Sequence, residues 1–164
     1  MSDLSAFEDL LAANEAYAAS FPHADVPGRA ATGLAVVTCM DARIDPAAIL
    51  GLAPGDAKVL RNAGGRVTDE VLKALVVGTA LLGVTRVLVM PHTRCRMVQE
   101  SDEAVHDAIR SGTGVDTRSV VFGTAADQAA ALEQDLTRIR THPLLPRDLT
   151  VLGLTYDVTT GHLR

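Results

Sequence analysis

Tryptophan, lysine and long apolar runs are scarce or missing in this sequence of 164 residues, and each scarcity excludes a class of protein. Tryptophan is absent and aromatic residues make up 3% of the chain, which disfavours the stacking platforms of nucleic-acid binders. Lysine occurs only at Lys58 and Lys73, and the net charge of −5 is opposite in sign to that usual for nucleic-acid-binding domains. The most apolar stretch, residues 74–84, is too short to span a bilayer. We therefore expect neither nucleic acid nor a membrane as a partner.

The rest of the composition is that of a globular domain. Hydrophobic residues make up 48% of the chain and the mean hydropathy is +0.19, which excludes a disordered or collagen-like protein. Since domains average roughly 150 residues, we expect a single domain over residues 1–164. The first residues are acidic and lack the apolar core of a signal peptide, so we expect a cytoplasmic protein.

The N-terminal region, residues 1–32, is predicted to be a helical arm followed by a linker. Residues 3–19 have a helical pattern of apolar positions, and residues 21–32 contain two prolines and one glycine. The helix is either a solvated amphipathic arm or a clasp onto a second subunit, and we favour the clasp.

Beyond the arm, short apolar runs alternate with helical patterns, which is typical of an α/β fold with a mostly parallel central sheet and flanking helices. The strand order most usual for such a small sheet is 2-1-3-4, which places the carboxyl ends of the first and third strands side by side. Strands are predicted over residues 34–38, 57–61, 86–90 and 149–158, followed by a C-terminal hairpin strand that ends at Leu163. Helices are predicted to begin at Asp45-Pro46, Thr68, Ser101 and Thr124, the last three running to about Leu82, Arg110 and Thr141.

The two cysteines are either inert buried thiols or ligands of a metal ion, and their neighbours favour the second interpretation. Cys39 ends the first strand, while His92 and Cys95 follow the third, so all three converge on the crevice that this fold offers to ligands. Two thiolates and one imidazole form a tetrahedral Zn²⁺ set with its fourth position free, which is the pattern of catalytic zinc.

Asp41 and Arg43 lie beside the first ligand, at alternate positions that can share one side of an extended segment. Asp41 can orient a zinc-bound hydroxide, and Arg43 can hold Asp41 in a bidentate pair away from the metal. If that pair breaks, Asp41 can become the fourth ligand and close the site. A purely structural ion pair is the alternative interpretation.

Gly64 and Gly65 follow the second predicted strand. They either serve only to form a turn or bring the backbone close to the cleft, where they would contact the substrate. We keep both interpretations open and name both glycines as candidate substrate-binding residues.

Three segments together resemble the β-class carbonic anhydrases, in their short bacterial form: Cys39-Met-Asp41-Ala-Arg43, Arg61-Asn-Ala-Gly-Gly65 and His92-Thr-Arg-Cys95. The resemblance implies a zinc-dependent carbonate dehydratase, a lyase that reversibly hydrates carbon dioxide to bicarbonate and a proton. It also implies zinc on Cys39, His92 and Cys95. A homodimer or homotetramer is expected, with the N-terminal helix laid over a partner subunit.

The sequence departs from the family pattern beside the second cysteine. Arg96 stands where the family commonly has glycine, and Arg94 lies between two ligands where smaller or acidic residues are usual. Two cations at the cleft mouth would attract bicarbonate or reduce the pocket. Two other functions remain open: a carbonyl sulfide hydrolase that uses the same zinc hydroxide, and a catalytically silent zinc-binding homologue with Asp41 as a fixed fourth ligand.

Overall fold

The computed structural model describes residues 4–164 and contains one parallel sheet of four strands. The strands are β1 (Leu34–Cys39), β2 (Ala57–Asn62), β3 (Arg86–Met90) and β4 (Thr150–Gly153). Their order is β2-β1-β3-β4, so the predicted α/β fold and the predicted order 2-1-3-4 are confirmed.

The helices are α1 (Glu8–Ala18), α2 (Pro46–Leu50), α3 (Asp69–Leu81), α4 (Arg96–Gln99), α5 (Asp102–Thr113) and α6 (Gln128–Thr141). Two short 3₁₀ turns cover Leu4–Phe7 and Ala63–Gly65. The predicted beginnings of α2 and α3 are confirmed, because Asp45 accepts hydrogen bonds from two backbone amides of its helix and Thr68 from one. The short helix α4 was not predicted.

The core lies on both faces of the sheet, because consecutive residues of a strand point to opposite sides. Val37 belongs to a cluster with residues of α3 and α6, whereas Val36 belongs to a second cluster that contains Cys39 and Cys95. Residues 35–39 of β1 are all buried, as expected for a central parallel strand covered on both faces. The second cluster therefore places both cysteine side chains inside the protein.

The last long helix begins later than predicted. The predicted cap, Thr124, instead donates its hydroxyl to the Asp102 carboxylate, which also accepts the Thr124 amide at 2.9 Å. Asp127 caps α6 by accepting a hydrogen bond from the Ala130 amide at 2.9 Å. The prediction of Thr124 as the cap was wrong because its hydroxyl is already bound to Asp102, at the beginning of α5.

The final strand is shorter than the predicted residues 149–158. β4 ends at Gly153 because β3 ends at Met90, and the next residue, Pro91, has no N–H with which to extend the ladder. Beyond it, Tyr156 forms two isolated bridges, a parallel one to His92 and an antiparallel one to Leu163. The predicted hairpin strand is thus reduced to a single bridge.

The N-terminal helix is confirmed over most of its predicted length, although residue 3 lies outside the described residues. None of the residues of α1 is buried, and Leu10 and Leu11 are 60% and 50% exposed. Over residues 4–164, no helix is both long and apolar enough to cross a membrane.

Candidate metal centre

Cys39, His92 and Cys95 form a compact buried cluster at the carboxyl edge of the sheet. The possible ligand atoms of the three side chains all lie within 4.8 Å of one another. The parallel pairing of β1 with β3 brings them together, since Thr38 lies opposite Met90 and donates its hydroxyl to the Met90 carbonyl at 2.7 Å. The predicted convergence of these three residues is therefore found in the structure.

The imidazole of His92 is prepared to bind a metal. Its Nδ1 lies 2.9 Å from the Thr93 carbonyl oxygen, and because a carbonyl can only accept, Nδ1 carries the proton. Nε2 is therefore left with a free lone pair. It is the one buried side-chain nitrogen or oxygen over residues 4–164 without a hydrogen-bond partner. A buried acceptor without a partner beside two thiols fits a metal ion.

The two thiols share their protons unequally. The pKa of Cys39 is lowered to about 4, chiefly because its sulfur accepts a hydrogen bond from the Cys95 thiol, while burial opposes this effect. The pKa of Cys95 is raised, because its proton is held in that hydrogen bond and because it is buried. A divalent cation would stabilise both thiolates, and a donor set of two sulfurs and one imidazole nitrogen suits zinc.

Asp41 and Arg43 form the bidentate pair that their spacing predicts. The Arg43 guanidinium donates to both carboxylate oxygens, at 2.9 and 2.7 Å, and the Arg43 amide donates to one of them at 3.0 Å. These bonds hold the pKa of Asp41 well below its usual range. One carboxylate oxygen of Asp41 lies 3.8 Å from His92 Nε2, so an ionised group faces the cluster.

A second arginine, Arg61, supports the turn that carries these groups. It donates to the Cys39 carbonyl at 2.9 Å and to the Asp41 carbonyl at 2.8 Å. The sequence pattern placed Arg61 in a motif but gave it no role. Two other contacts had no sequence signal: Gln128 donates to the His92 carbonyl at 2.9 Å, and Thr93 binds the C-terminal hairpin.

The two glycines occupy different places. Gly64 lines an open cleft together with Cys39, Asp41 and Cys95. Gly65 is packed beneath them with φ +65°, and a Cβ there would lie 2.9 Å from the Cys39 backbone nitrogen. The backbone therefore approaches the site closely at both positions, with Gly64 facing the cleft.

The two additional arginines differ in their contacts. Arg94 has a positive φ of 56°, and its carbonyl accepts a hydrogen bond from Arg43 at 3.3 Å. Arg96 lines the cleft, is largely exposed and pairs with Glu100 at 3.3 Å. Of these two arginines only Arg96 is among the residues that line the cleft, and its charge is paired with Glu100, so the two cations expected at the mouth are reduced to one.

Comparison with known proteins places this geometry in a family. The family model described as carbonic anhydrase matches residues 34–163. The chain is 35% identical to beta-carbonic anhydrase 1 of Mycobacterium tuberculosis, over 95% of this chain and 94% of the relative. The solved carbonic anhydrase of Streptococcus mutans superposes with a TM-score of 0.91 at 35% identity, over 100% of this chain and 98% of that one. A carbon disulfide hydrolase of Acidithiobacillus thiooxidans is 28% identical, over 79% of this chain and 74% of the relative.

Proposed function

Because the chain belongs to the β class of the carbonic anhydrase family, we propose that it catalyses the reversible hydration of carbon dioxide to bicarbonate and a proton. One observation carries the proposal: Cys39, His92 and Cys95 present three converging ligand atoms in a buried cluster, beside an ionised Asp41. The enzyme is accordingly a lyase, and its cofactor is zinc.

The three cluster residues would hold the zinc ion, each through one ligand atom. Zinc in such a site supplies a Lewis acid that makes a water nucleophilic near neutral pH. Asp41, ionised and aimed toward the cluster, accepts a hydrogen bond from the attacking water and orients it. Arg43 binds both oxygens of Asp41, which keeps this carboxylate from becoming a further ligand.

Carbon dioxide is small and apolar, so its binding needs little more than an apolar wall near the cluster. The cleft supplies one from Met40, Ala63 and Met97, and the backbone of Gly64 lies among them. Gly65 would allow the backbone to pass close to the end of β1 at Cys39, while Gly64 would contact the substrate. Arg96 would attract bicarbonate in the reverse reaction.

Stopped-flow measurement of carbon dioxide hydration, with zinc content determined on the same sample, tests this function. The zinc-loaded protein should be active and the metal-free protein inactive.

Cys95→Ser should lose zinc and reduce the rate by more than about 100-fold, beyond the range usual for residues outside the ligand set. Asp41→Asn should keep zinc but lose about 100-fold in rate, as expected for a group that orients a proton. Full activity in either variant would contradict these roles.

Hydrolysis of a sulfur analogue of carbon dioxide, carbonyl sulfide above all, is the second candidate. The carbon disulfide hydrolase relatives support it, because the substrate in their name, like carbonyl sulfide, is a linear triatomic analogue of carbon dioxide that contains sulfur. Sulfide release measured beside carbon dioxide hydration separates the two activities. The Asp41–Arg43 pair favours both over a silent homologue, in which Asp41 would bind the metal at every pH.

We further propose a homodimer or a homotetramer of single-domain chains, residues 1–164, located in the cytoplasm. The exposed apolar side chains of Phe7, Leu10 and Leu11 on the N-terminal arm support assembly with a second copy. The two free thiols in the cluster favour a reducing compartment. Light scattering on a size-exclusion column measures the assembly, and a monomer at all concentrations would contradict it.

A further inference from the structure

Thr93, between two cluster residues in sequence, is bound on one side to the C-terminal hairpin, residues 154–164. Its amide donates to the Tyr156 carbonyl at 2.9 Å. Its hydroxyl accepts the Val158 amide at 3.1 Å and lies 3.4 Å from a carboxylate oxygen of Asp157, to which it donates. Three hydrogen bonds thus fix both the backbone and the side chain of this one residue.

On its other side, Thr93 determines the state of the His92 ring. The Thr93 carbonyl accepts the Nδ1 proton of His92 at 2.9 Å. This bond selects the tautomer whose Nε2 is free to bind a metal, and it sets the direction in which Nε2 points. If the Thr93 peptide rotated, both properties of His92 would change.

The hairpin that holds Thr93 is itself anchored. Asp157 is 7% exposed, although it is a charged residue in an irregular segment. Its carboxylate accepts the Thr159 amide at 2.8 Å and forms an ion pair with Arg164. The Asp157 carboxylate that lies beside the Thr93 hydroxyl is therefore itself bound to two other residues of the hairpin.

We propose that Thr93 is a positioning residue, which fixes the tautomer and direction of the His92 ring by tying the loop between His92 and Cys95 to the C-terminal hairpin. Thr93 acts through His92 and not on the substrate. This proposal rests on the proposed function in one respect only: a metal ion must bind the cluster.

Two substitutions of the full-length protein separate the hydroxyl from the size of the side chain. Thr93→Val keeps the shape but can neither accept from Val158 nor donate to Asp157, whereas Thr93→Ser retains both hydrogen bonds. Nitrogen-15 NMR of the metal-free protein, about two pH units above the usual histidine pKa of about 6.5, reports the tautomer. Competition with a chelator reports the zinc affinity.

In the wild-type protein and in Thr93→Ser, we expect His92 to carry its proton on Nδ1. In Thr93→Val we expect a mixture of tautomers and a zinc affinity lower by about 10-fold or more. Thr68→Val is the matched control, because it removes a hydroxyl that caps α3, a helix that carries none of the three cluster residues. It should leave the tautomer and the zinc affinity unchanged.

Two results would overturn the proposal: a wild-type His92 protonated on Nε2, or a folded Thr93→Val with the wild-type tautomer and zinc affinity. If Thr93→Val does not fold, Thr93→Ala removes the same hydroxyl at smaller size and carries the same expectation. Neither readout depends on turnover. A protein that binds zinc as expected but does not hydrate carbon dioxide would contradict the proposed function and leave this proposal standing.

Discussion

The two ends of the described chain differ in their secondary structure and in their contacts with the rest of the protein. The N-terminal end forms the regular helix α1 of 11 residues, yet none of its residues is buried. The C-terminal hairpin forms only isolated bridges, yet it buries Asp157 and binds the residue that follows His92. Regular backbone hydrogen bonding and attachment to the core are therefore separate properties here. The irregular end binds the residue that follows His92, whereas the regular end is exposed over its length.

Truncation gives the largest expected difference between the two ends. Removal of residues 154–164 should abolish zinc binding, because Thr93 loses all three of its hydrogen bonds to the hairpin. Removal of residues 1–20 should leave the zinc content per chain unchanged, since every described residue of that segment is exposed. Elemental analysis of both purified truncations, with circular dichroism as a check on folding, measures this. Equal zinc loss in the two would remove the contrast.

Removal of zinc should affect the two ends unequally. A ligand that binds only the folded state adds about 4 kcal/mol of stability at about 1,000 times its Kd. We expect zinc binding to stabilise the hairpin, because Thr93 connects it to His92, and to leave the local stability of α1 unchanged. Hydrogen exchange followed before and after chelation should therefore show faster exchange at residues 154–164 and no change at residues 8–18. Faster exchange at both ends would indicate global loosening instead.

Acidification should weaken the C-terminal end through Asp157. The amide of Thr159 is the main group that lowers the pKa of this carboxyl in the folded protein. A lowered folded-state pKa gives stability that is present above the unfolded value of about 3.9 and is lost as pH falls through the folded value. Asp157→Asn should therefore be less stable than wild type at neutral pH and should lose less stability between about pH 5 and pH 3. Urea unfolding at several pH values measures both slopes, and parallel slopes would exclude this role.

Substitution on the arm gives the smallest expected effect on the fold. Leu10 is 60% exposed, so Leu10→Ser should change the free energy of unfolding of one chain by no more than about 0.5 kcal/mol. The proposed oligomer should nevertheless dissociate more readily, because the apolar contact that we propose Leu10 makes with a second copy would be lost. Unfolding measured at high dilution, beside light scattering at high concentration, separates the two effects. A large loss of stability at high dilution would show that the arm packs on its own chain.

The parts that sequence reasoning could predict are those set by local pattern. The first and third strands are mainly apolar runs, and the site residues follow strands whose order the fold class favours. Thr124 shows where local pattern fails. Threonine and aspartate both cap helices, and only the distant Asp102 decides that Thr124 is used elsewhere. No pattern within the final segment reveals that Pro91, which directly follows the neighbouring strand β3, ends the sheet ladder.

The supports of His92 were not predictable for a related reason. Gln128 contacts it across 36 positions, and Thr93 meets Val158 across 65. Such contacts are single hydrogen bonds between common residue types, so neither partner stands out in the sequence. The burial of Asp135, which pairs with Arg66 at 2.7 Å, was not predictable either, because an acidic residue on a helix usually faces solvent.

Gly65 has a consequence for how relatives of this protein should be compared. A methyl group there would collide with the strand end that carries Cys39, whatever reaction the protein performs. A descendant that had lost catalysis but kept this sheet would still be obliged to retain glycine at that point. A glycine at this position in a distant homologue would therefore indicate a shared backbone path. The two cysteines and the histidine would instead indicate a shared chemistry.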